Sequence, residues 1–497
     1  MKHLRIQNHR IFETSSVPET GIEEFENECR QILAGGSRML GLFPIDSKGN
    51  SKEEAKKVLA VFGNDDTSQL QLTSTVFSAG NSRFNSFANE FPNTNYFECE
   101  LAENCTILPE NHPWLRPVRK QETILGNIPY QFYKMEGEEV HEVAVGPVHA
   151  GVIEPGHFRF QCAGETVYHL EISLGYQHRG IERMLPRADE LKRGLLVESI
   201  AGDTVIGHSM AYVLAMEALS RTNPSLRASV IRAIAEELER IAMHLAGLTG
   251  IANDVGFAIG AASYGRLRTL VINSLALICG SRFGRGLIVP GGVRFDLKNE
   301  SIKKITENLL QVQNDIRQIN DLMFSSTSVM TRLEETGRVH YQWAKDIGMV
   351  GPAARASGVR ADVRFNFPYG AYRYHAIQTV TLDSGDVFAR ARIRSLEIEE
   401  SLNFILERFV DIPSGEIISK VAPLPAGMGV ISLSEGWRGE IVHCIFTGAA
   451  GEIVTYKVKD PSFNNWYGLA LAVRNQGISD FPLCNKSFDL SYAGHDL

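Results

Sequence analysis

Ile302, Ile305, Leu309, Val312, Ile316, Ile319 and Met323 recur at alternating steps of three and four residues. Only a helix puts that spacing on one face, so the segment after Ser301 is expected to be a long helix with a buried stripe. The stripe reads as a packing seam against neighbouring helices rather than a self-associating coiled coil. A second stripe, Leu226, Val230, Ile234, Leu238, Ile241, Leu245 and Leu248, follows Asn223 as cap and Pro224 as first helical residue, with Gly250 as its stop. Glu236 and Arg240 lie one turn apart on it and are expected to pair. A third long helix is expected from Asp386 to Phe409, and three such faces imply a helical bundle.

Strand-like pieces precede the bundle. His141 to Val145, Phe158 to Cys162 and Val167 to Ser173 alternate, with Ala163-Gly-Glu165 as a turn, and predict a small sheet carrying His149 and His157 on its loops. Residues 1–125 mix both patterns: Glu23 to Leu33 and Lys52 to Phe62 read as helices, Arg38 to Phe43 and Gln69 to Phe77 as strands. Phe97 to Arg116, with two prolines and Trp114, reads as a segment laid over another surface. The expected fold is α+β: a small α+β domain over 1–125, a linker over 126–139, and a larger domain over 140–497. That larger domain holds the bundle, two polar loops, Gly351 to Gly358 with Asp362 to Arg364 and Asn366 to Tyr372, and a hairpin of Ile441 to Phe446 with Glu452 to Val458; Arg355, Arg360, Asp362 and Arg364 read as an ion-pair network tying loops to the bundle or as a charged lining near a pocket.

A net charge of −8, spread along 497 residues, advertises no nucleic-acid face. The N-terminus lacks the apolar core of a signal peptide, and the longest apolar runs fall short of the roughly 20 residues that cross a bilayer. A cytoplasmic chain, peripheral on the membrane through partners, is expected. Its seven cysteines are scattered and never two residues apart, which fits buried thiols better than a disulfide framework, zinc ribbon or iron-sulfur site.

The polar residues concentrate in Val145-Gly-Pro-Val-His-Ala-Gly-Val-Ile-Glu-Pro-Gly-His157, Tyr176-Gln-His-Arg-Gly-Ile-Glu182 and the helix carrying His208. With Gly351 to Arg364, Pro368 to Tyr372 and Asp386 to Arg394, these motifs follow one superfamily's order. The chain over 140–497 resembles the large subunit of the membrane-bound, energy-converting (group 4) nickel-iron hydrogenases, homologous to the 49-kDa quinone-site subunit of complex I. The first domain is similar to the complex I 30-kDa subunit through Glu98, Glu100 and His112-Pro-Trp-Leu-Arg116, with Asn104 and Cys105 in place of a Phe-Gly pair.

The resemblance implies two cysteine pairs binding nickel and iron. Their positions here carry Ala201, Thr204, Ser491 and Gly494. Such a centre requires soft thiolates, so no nickel-iron cluster and no hydrogen chemistry are expected. The resemblance also implies a quinone-binding His at His149 and a Tyr partner whose place is taken by Gly202. His149 is then either a quinone ligand and proton donor or a loop-organising residue bonded to Asp203 or Asp496. Glu154, His178, Arg179 and Glu182 match motif positions too, and Arg179 and Glu182 could form a structural salt bridge. Candidate cavity or proton-transfer residues are His149, Glu154, His208, Asp203 and Asp496.

No cofactor is expected in the chain itself; iron-sulfur clusters would sit in a small partner subunit, with membrane-embedded partners beyond it, and a quinone could serve as acceptor. The leading reading is a non-nickel subunit of a complex I-like redox assembly; the alternative is a catalytically silent coupling subunit, and a third is a soluble enzyme reusing the cavity. An open pocket among the five candidates would favour redox work; Thr204, Ser491 and the tail packing it shut would favour coupling.

Overall fold

The computed structural model describes residues 2–45, 55–78, 82–119, 123–124, 128–149 and 153–497. The N-terminal sheet comprises β1 (Leu4–Ile6), β3 (Glu19–Thr20), β4 (Arg38–Ile45), β5 (Lys56–Asn64) and β6 (Gln69–Phe77), with β2 (Phe12–Glu13) leaving it to pair elsewhere. The order is β1-β6-β5-β4, antiparallel, and β3 adds parallel to β6. Helix α1 (Ile22–Ala34) packs against it. The helix expected over Lys52 to Phe62 is instead strand β5; residues 52–54 lie outside the described part. Val58 to Phe62 are buried on both faces of this central strand, and such a continuous apolar run satisfies either period.

Phe97 to Arg116 is only partly the extended segment expected. Its first half belongs to helix α2 (Asn95–Cys105), and Trp114 is half-buried, its indole N–H bonded to Tyr130 at 3.0 Å. The first 119 residues are tied to the rest by buried ion pairs. Glu440 takes Arg38 and Lys459, each at 2.6 Å, and Lys457 bridges Glu100 and Glu182 at 2.6 and 2.9 Å. Phe463 enters the apolar core of the N-terminal part.

Strands β7 (Val140–Val145), β8 (His157–Ala163) and β9 (Thr166–Ser173) form the expected antiparallel sheet, with His157 opening a strand rather than sitting on a loop. The bundle follows: α3 (Val205–Ser220), α4 (Leu226–Asp254), α5 (Ala258–Cys279), α6 (Asn299–Ser325) and α7 (Val387–Val410). The α6 stripe from Ile305 to Met323 is buried against α5 and α7 as its spacing requires. Helix α4 begins later than expected. Ser225, not Asn223, is the cap, accepting the Ala228 N–H at 3.0 Å, and Pro224 stands outside. Nor does Gly250 end it: a Cβ there would lie 2.0 Å from Lys486 Cε, so this glycine admits a crossing side chain.

Strands β10 (Met428–Gly436), β11 (Gly439–Thr447) and β12 (Ile453–Lys459) form an antiparallel sheet, order β12-β11-β10-β2, so a strand from residue 12 is stitched to one near the far end of the chain. Three helices close the fold: α8 (Pro461–Val473), α9 (Phe481–Phe488) and α10 (Tyr492–Asp496).

Candidate functional site

The turn between β10 and β11 puts Arg438 against the start of α3. Its guanidinium makes two parallel bonds to Asp203, 2.6 and 2.7 Å, and a third to the Thr204 hydroxyl at 3.2 Å, while Nε donates to the Asp489 carbonyl. It lies 3.9 Å over the Trp437 ring, whose N–H donates to the Asp203 carbonyl at 2.9 Å. Burial opposes the charge on Arg438, but Asp203, then Asp489 and Asp460, outweigh it and raise its pKa. Glu154 is close enough to feel both Arg438 and Asp203. Burial pushes its carboxyl above the usual range, against the N–H groups of Tyr492 and Ala493 that it accepts at 3.2 Å each.

All four positions matched to cysteines are buried. The Ser491 hydroxyl caps α10, accepting the Gly494 N–H at 2.9 Å, and the Ser491 N–H donates to Ser462 at 2.9 Å. A Cβ on Gly494 would stand 2.7 Å from the Asp460 carboxyl carbon. One turn into α3, His208 bonds Asp460 and His443 at 3.1 Å each, and His443 bonds the Tyr456 hydroxyl at 2.9 Å. Burial, then His208, holds His443 well below the usual imidazole pKa. Asp460 is lowered: burial works to raise it, and its bond to His208 leads the groups that pull it down.

These residues do not fit a nickel-iron centre. Where thiolates would converge there are a methyl group, a hydroxyl bonded to Arg438, a hydroxyl spent on a helix cap, and a glycine with no room for a side chain. The Arg438 guanidinium, bonded to Thr204, adds positive charge beside one of these positions, where metal cations would need negative ligands.

Of the five sequence candidates, Asp203 and Glu154 meet around Arg438. His208 belongs to the separate buried chain ending at Tyr456. Asp496 holds the tail: its carboxylate accepts the N–H groups of Gly175 and Gln177 at 2.7 and 2.9 Å. His149 bonds neither Asp203 nor Asp496; its Nε2 meets the Gly156 carbonyl at 2.9 Å. Arg179 and Glu182 do not pair either. Arg179 donates to the carbonyls of Ser199, Ile200 and Ala493, and Glu182 takes Lys457. Sequence reasoning missed Arg438, Asp460 and His443. The string Glu435-Gly-Trp-Arg-Gly-Glu440, flanked by glycines that bring backbone close, was the available signal.

Beside this site runs an ion-pair network. Arg355 joins Glu397 and Glu435 at 2.8 Å each, and Arg364 joins Asp362 and Glu237 at 2.7 and 3.0 Å. Arg360 is exposed and outside it. Arg240 bonds Glu237 at 3.1 Å rather than Glu236, and its other nitrogens hold the Glu435 and Gly436 carbonyls at 2.6 and 3.1 Å.

Residues 254–426 match the family described as respiratory-chain NADH dehydrogenase, 49 Kd subunit. A subunit of the F(420)H(2) dehydrogenase of Methanosarcina mazei is 32% identical over 359 residues, covering 70% of this chain and 95% of the relative. The chain belongs to the complex I 49-kDa and group 4 hydrogenase large-subunit family. Other members include formate hydrogenlyase subunit 5 of Escherichia coli, 28% identical over 409 residues (79% of this chain, 71% of the relative). The alpha chain of the membrane-bound hydrogenase of Pyrococcus furiosus is 29% identical over 366 residues (70% and 85%). Among the described residues of this family member, no helix is long and apolar enough to cross a membrane.

Proposed function

We propose that the chain is a subunit of a complex I-like redox assembly in which it couples partners without hydrogen chemistry. It would cap an iron-sulfur small subunit and sit on the membrane face through membrane-embedded partners. Relatives named as subunits of formate hydrogenlyase, F(420)H(2) dehydrogenase and NADH-quinone oxidoreductase support the assembly. The observation that carries the coupling role is Arg438, clamped by Asp203 and Thr204 beside the tail. The test is isolation of the chain from its own cells in mild detergent. Iron-sulfur and membrane proteins should come with it, and the preparation should neither evolve nor take up hydrogen. Hydrogen turnover, or a chain isolated alone, would overturn the reading.

One observation favours a second reading, quinone-type electron transfer. Nδ1 of His149 is buried with no hydrogen-bond partner among the described residues; with Nε2–H given to the Gly156 carbonyl it is the acceptor nitrogen of the neutral ring, suited to the hydroxyl of a quinol. Against it, Gly202 offers no hydroxyl. If the isolated complex reduces a soluble quinone, and His149→Gln slows that reduction while leaving assembly intact, the second reading replaces the first.

A further inference from the structure

Four buried carboxyls, Glu237, Asp362, Glu397 and Glu435, pair with three buried guanidiniums, Arg240, Arg355 and Arg364, and two more buried carboxyls, Glu236 and Glu239, flank Glu237 on α4. A fourth guanidinium, Arg394, reaches the edge at His244 and is shared with Asp489. Charges of one sign cannot accumulate in such a core, so some of these acids must hold protons.

The contacts tell which. Glu237 has Arg240 and Arg364; Glu397 has Arg355; Asp362 has Arg364; Glu435 shares Arg355 with Glu397, and burial with Asp362 still pushes it up to about 7. Glu236 and Glu239 have no ion-pair partner among the described residues. One oxygen of Glu236 accepts the Tyr369 hydroxyl at 2.7 Å, and the other, Oε2, is buried with no partner among the described residues. Among the described residues Glu239 accepts only the N–H groups of Ile206 and Gly207, at 2.8 and 3.0 Å.

We propose that Glu236, with Glu239 one turn along α4, is a proton-storing site of the bundle core, each carboxylate binding one proton to become a neutral acid and releasing it again. No electrons move in this step. Glu236 faces Glu237 and Arg240 on its own helix, Tyr369 from the loop before α7, and Arg364. Burial pushes it up to about 8, with Arg240 pulling down and Glu237 pushing up. Burial also pushes Glu239 up to about 8, against the N–H groups of Ile206 and Gly207, while Asp203 and Glu236 add to the rise.

Asp203 links this store to the Arg438 site. Loosening Arg438 from Asp203 leaves a bare carboxylate that tightens proton binding at Glu239. Arg240 meanwhile grips the backbone of Glu435 and Gly436, at the end of β10 that leads into the Arg438 turn. This use of the store rests on the coupling reading; its existence does not.

The test is infrared spectroscopy of the intact complex in H2O and D2O. A deuterium-sensitive carboxylic-acid carbonyl band is expected at about pH 7 and should be gone by about pH 9. Glu236→Gln should remove one component and Glu239→Gln another. Glutamine mimics the neutral acid, so both variants should fold, and circular dichroism checks that; if Glu239→Gln does not fold, Glu236→Gln decides alone. A missing band at pH 7, or a band untouched in a folded Glu236→Gln variant, overturns the proposal. Hydrogen turnover would overturn the coupling reading without touching the band.

Discussion

Arg438 and Asp203 form a two-point ion pair at 2.6 and 2.7 Å, between the turn joining β10 to β11 and the start of α3. The two partners are unequal: the Arg438 side chain is 5% exposed and that of Asp203 39%. Removing Asp203 therefore strands a buried cation, whereas removing Arg438 leaves a carboxylate that water can reach. Asp203→Ala should cost about 3 kcal/mol, and Arg438→Met about 1 kcal/mol. Urea unfolding of the two variants side by side checks the order.

Gly494→Ala should destabilise by about 1–3 kcal/mol, because the new methyl must displace the Asp460 carboxyl, itself held by His208 and the Ser462 N–H. Restoring a cysteine there meets the same obstacle. The check is the thermal midpoint of the alanine variant, with Ser491→Ala as a comparison that loses only a helix cap.

Glu236 sets a pH dependence. The folded chain holds its proton up to about 8, against an ordinary value of 4.5. The stability this confers is present below the ordinary value and is lost as pH rises through the folded one, at most about 1.4 kcal/mol for each pH unit. Glu236→Gln escapes the loss. Relative to the unsubstituted chain, the variant should gain stability between about pH 5 and about pH 9, read from urea midpoints.

Asp460 acts in the opposite sense. Its folded pKa is lowered, so its stabilisation is present above the ordinary carboxylate value and fades as pH falls. Asp460→Asn should cost about 2 kcal/mol near neutrality and flatten the acid side of the stability profile. Acid titration followed by near-ultraviolet circular dichroism measures both.

Much of the architecture was legible in sequence because helical stripes and alternating strands are local patterns. Strand β5 was misread, since Val58 to Phe62 are buried on both faces and lose the period-two signature. The start of α4 was misplaced because Pro224 beside Asn223 mimics a start that Ser225 makes. The candidate site was half legible. Asp203 and Glu154 came from a motif near residues 145–217, but Arg438 arrives from a turn more than two hundred residues on. No local spacing connects such residues; the packing of β10 and β11 on α3 does.

The most direct test of the account is the nickel content of the intact complex, measured by elemental mass spectrometry against chain concentration. Iron in partner subunits does not confuse it. With Arg438 holding Asp203 and Gly494 pressed on Asp460, nickel should stand far below one atom per chain. One nickel per chain, surviving gel filtration, would contradict the account.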